Sequence, residues 1–280
     1  MNASTPAEAP GVTGDPHAAS GENRPQGTLT VRDLAKTYGT GPAAVHAIDS
    51  LSFDVRPGEF VCIVGPSGVG KSTLLKCLSG LLAPTSGEAR LDGRPIAGRP
   101  PEGLSFVFQD YTRSLFPWFP LRKNVALPLR NKGVSRAEAD QRAQEALAAV
   151  GLGDRTGRYP WQLSGGMQQR VAIARGLAYE PELLLMDEPF ASVDAQTRAE
   201  LEDLTLEVQR RFGITVLLVT HDIDEAIYLA DRVVVLGGPP CVLQEVVEVD
   251  LPRPRDQIAT KSLARFAELR GHVTRLIKGE

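Results

Sequence analysis

Residues Gly65–Thr73 read GPSGVGKST, which fits the spacing GxxxxGK[ST]. A loop of this kind can curl its backbone around a phosphate, because Gly65, Gly68 and Gly70 carry no side chain and consecutive N–H groups turn inward. Lys71 supplies a mobile positive charge for the outer phosphates, and the Ser72 hydroxyl is a hard oxygen suited to Mg²⁺. The whole loop (Gly65, Pro66, Ser67, Gly68, Val69, Gly70, Lys71, Ser72 and Thr73) is therefore assigned to the phosphates of MgATP. The bland alternative is a Gly-rich turn with an incidental lysine. The flanks argue against it, since EFVCIV before the loop reads as a buried strand and STLLKCLSGLL after it as a helix.

A second chemical constellation is ELLLMDEP, where Leu183–Met186 lead into Asp187 and Glu188 and Pro189 ends the ladder. Asp187 suits a metal ion and its water shell, and Glu188 can polarise an attacking water. Alone, the pair could equally be solvated loop carboxylates. A further apolar run, VLLVTHD, delivers His221 to a strand end, where a ring N–H could hold a phosphate oxygen or the water. Its bland reading is a residue beside a helix cap. Lys71, Glu188 and His221 are the catalytic candidates, and Ser72 and Asp187 the metal candidates.

These residues need a frame. From Thr28, the runs TLTVRDLAKTY and AVHAIDSLSFDV alternate apolar and polar residues before the Pro57-Gly58 turn, predicting antiparallel strands. GEARLDG and LSFVFQ predict two more strands. A helix is expected from Ser135 to Val150, opened by a capping box of Ser135 and Glu138. After Gly165 and Gly166, helix VAIARGLAY, strand ELLLMDE, a helix near Arg198 to Arg211 and strand ITVLLVT alternate, which means a parallel sheet covered by helices. The fold class is α/β: a P-loop NTPase (RecA-like) core with a mixed sheet, an antiparallel β subdomain and an inserted α-helical subdomain over about 110–169. A tail from 241 to 280 is read as a strand and an amphipathic helix, with Leu263, Phe266, Leu269, Val273 and Leu276 at helical spacing.

The bulk properties agree. The chain has 280 residues, 42% hydrophobic and 23% charged, enough for a large core. A net charge of −3 gives no basic field for a nucleic acid. Cys62, Cys77 and Cys241 are odd in number and form no CxxC pair, predicting neither zinc nor disulfides but buried thiols in a reducing compartment. Residues 1–27 are rich in Ala, Pro, Gly, Ser and Thr and are expected to be a disordered leader. No apolar run is long enough to cross a bilayer.

LSGGMQQR, Leu163–Arg170, resembles the signature motif of the ATP-binding cassette (ABC) family. The resemblance spans about 28–238, in the order Tyr38, the phosphate loop, Gln109, the signature, the acidic pair, Asp194 and His221. It implies that Tyr38 stacks on adenine, the alternative being a strand-end core residue. It implies that Gln109 reaches Mg²⁺ and links core to helical lobe, the alternative being a structural amide. It also implies that Ser164, Gly165 and Gly166 open a helix whose N-terminus meets the ATP of a second copy of the chain, with Asp194 in the cross-subunit contact. ASVD stands where the family usually has SALD. Such a member resembles an importer subunit that docks on transmembrane permease subunits at the cytoplasmic face of the cell membrane, indirectly served by an extracytoplasmic binding protein.

The segment YTRSLFPWFPLRKNVALPL, Tyr111–Leu129, resembles the nitrate, sulfonate and taurine importer group, with LFPW for LPW. Phe116, Trp118 and Phe119 then either line the groove for the permease or fill the lobe's core. Competing readings are a soluble cassette of translation or DNA repair, which usually carries tandem cassettes or added modules, and a non-hydrolysing module, which would have lost Glu188 or His221.

Overall fold

Alternating apolar residues give β1 (Leu29–Tyr38) and β2 (Val45–Val55), paired antiparallel with Leu29 opposite Val55 and Val31 opposite Phe53. This computed structural model describes residues 26–110 and 114–280. The expected leader up to residue 25, and Tyr111 at the start of the aromatic segment, lie outside the described residues. Gly27, assigned to the leader on composition, is instead buried, and its N–H donates to Asp92 Oδ1 at 3.0 Å. β4 (Ser86–Leu91) and the short β5 (Arg94–Pro95) complete a four-stranded sheet ordered β2-β1-β4-β5. Asp92 and Gly93, both at positive φ, form the hairpin turn between them, so the expected strand GEARLDG stops at Leu91.

The second sheet holds β3 (Phe60–Val64), β6 (Leu104–Val107), β7 (Leu183–Asp187), β8 (Thr215–Val219), β9 (Arg232–Gly237) and β10 (Val242–Glu248). Its order is β10-β9-β3-β8-β7-β6, all parallel except the antiparallel edge strand β10. Successive residues of the central strands feed opposite faces, which is why these strands are almost wholly apolar. Cys62, Val64, Leu184 and Met186 face one core and Val61, Ile63, Leu183 and Leu185 the other. The second core is closed by the antiparallel sheet and by α1 (Lys71–Leu78). All three cysteines are buried and free.

α2 (Leu121–Asn131), α3 (Arg136–Ala149) and α4 (Gly165–Ala178) pack on one another as the helical lobe, through Val125, Leu129, Ala143, Leu147 and Val171. The Ser135 hydroxyl accepts from Glu138 N at 3.3 Å, but the Glu138 carboxylate turns to Arg142, so only half of the expected capping box forms. α2 contains Pro128, and the sequence reading placed no helix there. α5 (Ala195–Phe212), N-capped by Asp194, starts earlier than the expected position near Arg198. α6 (Ile223–Leu229) and α7 (Ala264–Lys278) lie together, with Phe266, Leu269 and Val273 of α7 in the core and Leu276 half-buried beside it. Leu263, counted on the apolar face, is the exposed N-cap.

Candidate active site

The carboxyl ends of β3, β6, β7 and β8 deliver the phosphate loop, Gln109, Asp187, Glu188 and His221 to one edge of the sheet. From β3 the chain enters the phosphate loop, with Gly68 at φ +76° and Gly70 at φ +119°, a left-handed backbone that disfavours other residues. Gly70 is also close to the chain behind it: a Cβ there would stand 2.9 Å from the Ala47 carbonyl. Lys71 opens α1 and is only 7% exposed. Its ammonium donates to the carbonyls of Gly65 at 2.7 Å and Pro66 at 2.9 Å, so the cation lies within the curl of the loop. Burial pulls its pKa down, opposed by the charges of Glu188 and Asp187.

On β7, Asp187 is half-buried and hydrogen-bonded by the Ser72 hydroxyl. Burial raises its pKa, and the adjacent Glu188 raises it further. Glu188 follows at φ +42°, which costs a non-glycine residue about 1–2 kcal/mol. Its N–H continues the ladder by donating to the Val219 carbonyl at 2.8 Å. This twist brings the carboxylate to His221, whose Nδ1 is 3.0 Å from Glu188 Oε2. Gln109, two residues past β6, donates to the same oxygen at 3.4 Å. His221 directly precedes Asp222, the N-cap of α6, so its cap-neighbour position and its contact with Glu188 coexist.

Tyr38 ends β1, is 42% exposed and reaches Thr73 with its hydroxyl at 3.4 Å, so it is no core residue. Ser164 is the N-cap of α4, its hydroxyl accepting from Met167 N at 3.4 Å, with Ser164 and Gly165 exposed and Gly166 buried. Asp194 caps α5, accepting from Thr197 N at 3.0 Å and Thr197 Oγ1 at 2.8 Å, which holds its carboxyl below the usual range. Among the described residues, no hydrogen bond or ion pair joins Ser164, Gly165, Gly166 or Asp194 to the phosphate loop.

A glycine-rich loop wrapped on Lys71 and an acidic pair beside His221 lie together, with the capped Ser164–Gly166 turn apart from them, and comparison with known proteins gives this arrangement a lineage. The family described as ABC transporter matches residues 48–191. The chain belongs to the ABC transporter family. The cassette is 44% identical over 90% of its length to an uncharacterised ABC transporter ATP-binding protein of Methanocaldococcus jannaschii, covering 92% of that protein. It is 45% identical over 85% of its length to the nitrate import ATP-binding protein NrtD of Synechococcus elongatus, covering 86% of it. A solved ATP-binding cassette, dimeric in a post-hydrolysis state with ADP and Pi, is 33% identical with a TM-score of 0.68, over 79% of this chain and 98% of that one. Like its family, the cassette binds ATP and is an ATPase that works within a transporter.

Two contributors escaped the sequence reading. Asn124, fully buried on α2, accepts from Phe116 N at 2.7 Å and donates to the carbonyls of Phe116 at 3.0 Å and Phe119 at 2.9 Å. It thereby staples the turn that carries Phe116, Trp118 and Phe119, whose rings contact one another. Phe116 and Trp118 are exposed, Trp118 by 67%, and so do not fill the lobe's core. Thr220, the other contributor, bonds Asp222 N at 3.0 Å and so fixes the backbone on both sides of His221. No helix among the described residues is long and apolar enough to cross a membrane.

Proposed function

We propose that the cassette is the ATP-hydrolysing subunit of an importer for a small anion of nitrate, sulfonate or taurine type. The observation that carries hydrolysis is the convergence of Lys71, Glu188 and His221 at one sheet edge. Glu188 orients the attacking water, with His221 and Gln109 fixing the carboxylate. Lys71, now resting on two carbonyls of its own loop, would exchange them for phosphate oxygens. The likeness to a nitrate import ATP-binding protein supports the direction and class of cargo.

The donor set fits Mg²⁺. Asp187 is a partly buried carboxylate beside a second one, bonded to the Ser72 hydroxyl, and a hard divalent cation would relieve that crowding. No cluster of three or more His, Cys, Asp or Glu occurs among the described residues, so hydroxyl, amide, phosphate and water oxygens would complete the shell. Ser72, Asp187 and Gln109 would hold the ion, which supplies charge neutralisation at the transferred phosphoryl group.

In this reading two copies pack head to tail, Ser164, Gly165, Gly166 and Asp194 of one facing the nucleotide on Tyr38 and the phosphate loop of the other. The likeness to a dimeric cassette supports that arrangement. A groove of about 470 Å³ beside the aromatic turn, lined by Leu81, Phe106, Phe108, Phe116, Leu127 and Tyr179, suits an apolar helix of the permease. The subunit would then sit peripherally at the cytoplasmic face of the membrane, with any binding protein acting through the permease. Glu188→Gln tests the reading. It should reduce turnover by about 100-fold or more while ATP is still bound, and accumulate an ATP-dependent dimer on size-exclusion chromatography. Undiminished turnover would contradict it.

A further inference from the structure

The first turn of α5 touches two parts of the apparatus at once. Thr197 spends its hydroxyl and N–H on the Asp194 carboxylate. Its methyl group fills the space in front of Gly166, where an added Cβ would overlap it. The next residue, Arg198, donates to Asp222 Oδ2 at 3.1 Å. Asp222 is the chain neighbour of His221 and caps α6 by accepting from Glu225 N at 3.1 Å. Capping α5 requires neither the Thr197 methyl nor the Arg198 guanidinium, so both contacts exceed what the helix needs.

Behind this turn the polar network is incompletely paired. Among the described residues Arg198 Nε and Glu225 Oε1 are buried without a hydrogen-bond partner, one a donor and the other an acceptor, and the Arg198 charge partly offsets the upward pull of burial on the Glu225 carboxyl. Thr220 bonds the Glu225 carboxylate and Glu202 lies nearby, with Gln257 and Lys261 bonded to Glu202. A network with a spare donor and a spare acceptor can settle in a second arrangement without losing bonds, which a fully satisfied one cannot.

We infer that Thr197 and Arg198 are positioning residues that tie the signature turn to the switch histidine within one chain. The inference rests on the head-to-tail dimer proposed above, and there the two ends of the tie belong to different ATP sites. His221 acts on the chain's own nucleotide, and Ser164–Gly166 meet the partner's. Seating of the signature turn on the partner's triphosphate is passed from Gly166 to the Thr197 methyl, along one residue of α5 to Arg198, and through Asp222 to the histidine that holds Glu188. One site thereby sets the geometry of the other.

The test is ATP turnover by the full chain and by T197S, R198M, R198K and the double variant T197S/R198M, with melting temperatures taken in parallel. T197S keeps the capping hydroxyl and deletes only the methyl. Each of T197S and R198M should lower kcat about tenfold and the Hill coefficient toward about 1, with KM for ATP changed by no more than about twofold. R198K should recover most of the loss, and the double variant should be no slower than the slower single one, because both break one linkage. Losses that multiply in the double variant, an R198K no better than R198M, an effect on KM alone, or losses that only follow a lowered melting temperature would overturn it. Glu188→Gln run alongside separates the two proposals: turnover insensitive to that change overturns the ATPase reading itself, and the inference with it.

Discussion

His221 Nδ1 stands 3.0 Å from Glu188 Oε2, the oxygen that Gln109 also reaches at 3.4 Å. The contact exists because Glu188 takes a left-handed backbone at the end of β7 and the parallel neighbour β8 ends beside it, Asp187 pairing with Val219. Among the described residues no hydrogen bond falls on Oε1, so in the proposed mechanism Oε2 is the oxygen that is held and Oε1 the one left to meet the water.

His221→Ala removes the ring that fixes this carboxylate but touches none of the bonds that hold the phosphate loop. Steady-state turnover should fall about 100-fold, with the KM for ATP within about threefold of the unsubstituted chain. A large loss of ATP affinity at unchanged kcat would contradict the role given to the histidine.

Glu225 offers a test of the network behind the site. It is 3% exposed, and burial pushes its carboxyl up to about 8, aided by Glu202 and Asp222. The folded chain therefore keeps a proton that the unfolded chain releases in the ordinary carboxylate range. Stability is fully present below that range and is lost as pH rises through about 8, by about 1.4 kcal/mol for each unit of difference. Glu225→Gln stays neutral and keeps an acceptor for Thr220. Its melting temperature relative to the unsubstituted chain should climb between about pH 5 and about pH 8.5, and a flat difference would show that the carboxyl ionises normally.

Asn124 is the staple of the aromatic turn, and Asn124→Ala leaves the Phe116 N–H and the Phe116 and Phe119 carbonyls without their partner. Urea unfolding should report a loss of about 2–4 kcal/mol. Emission from Trp118 should change as well, with Trp161→Phe as the background because it removes the other tryptophan.

The sheet edge proposed as catalytic was legible because its residues are local in sequence. The glycine spacing around Lys71, the apolar run before Asp187 and Glu188, and Ser164 before two glycines each state their own geometry. The strands were equally readable, since β3, Leu183–Met186 of β7 and Val216–Val219 of β8 are continuous apolar runs buried on both faces. Helix α2 was hidden by Pro128, a residue that argues against helix wherever local bonds decide, whereas here Leu121, Val125 and Leu129 are fixed by burial in the lobe. The full capping box at Ser135 failed for an opposite reason, because Arg142 one turn on offers Glu138 a charge. Contacts such as Thr197 on Gly166 or Arg198 on Asp222 join residues far apart in the chain, and no spacing rule announces them.

The account turns on a phosphate loop and a signature turn meeting across two chains. A direct measurement mixes a Ser67→Cys chain with a Ser164→Cys chain, both carrying Glu188→Gln; both positions are exposed, and Cys62, Cys77 and Cys241 are buried. Under mild oxidation with ATP, the predicted result is a disulfide between the two different chains, absent without nucleotide. No such cross-link at saturating ATP, or one forming equally in its absence, would contradict the shared site.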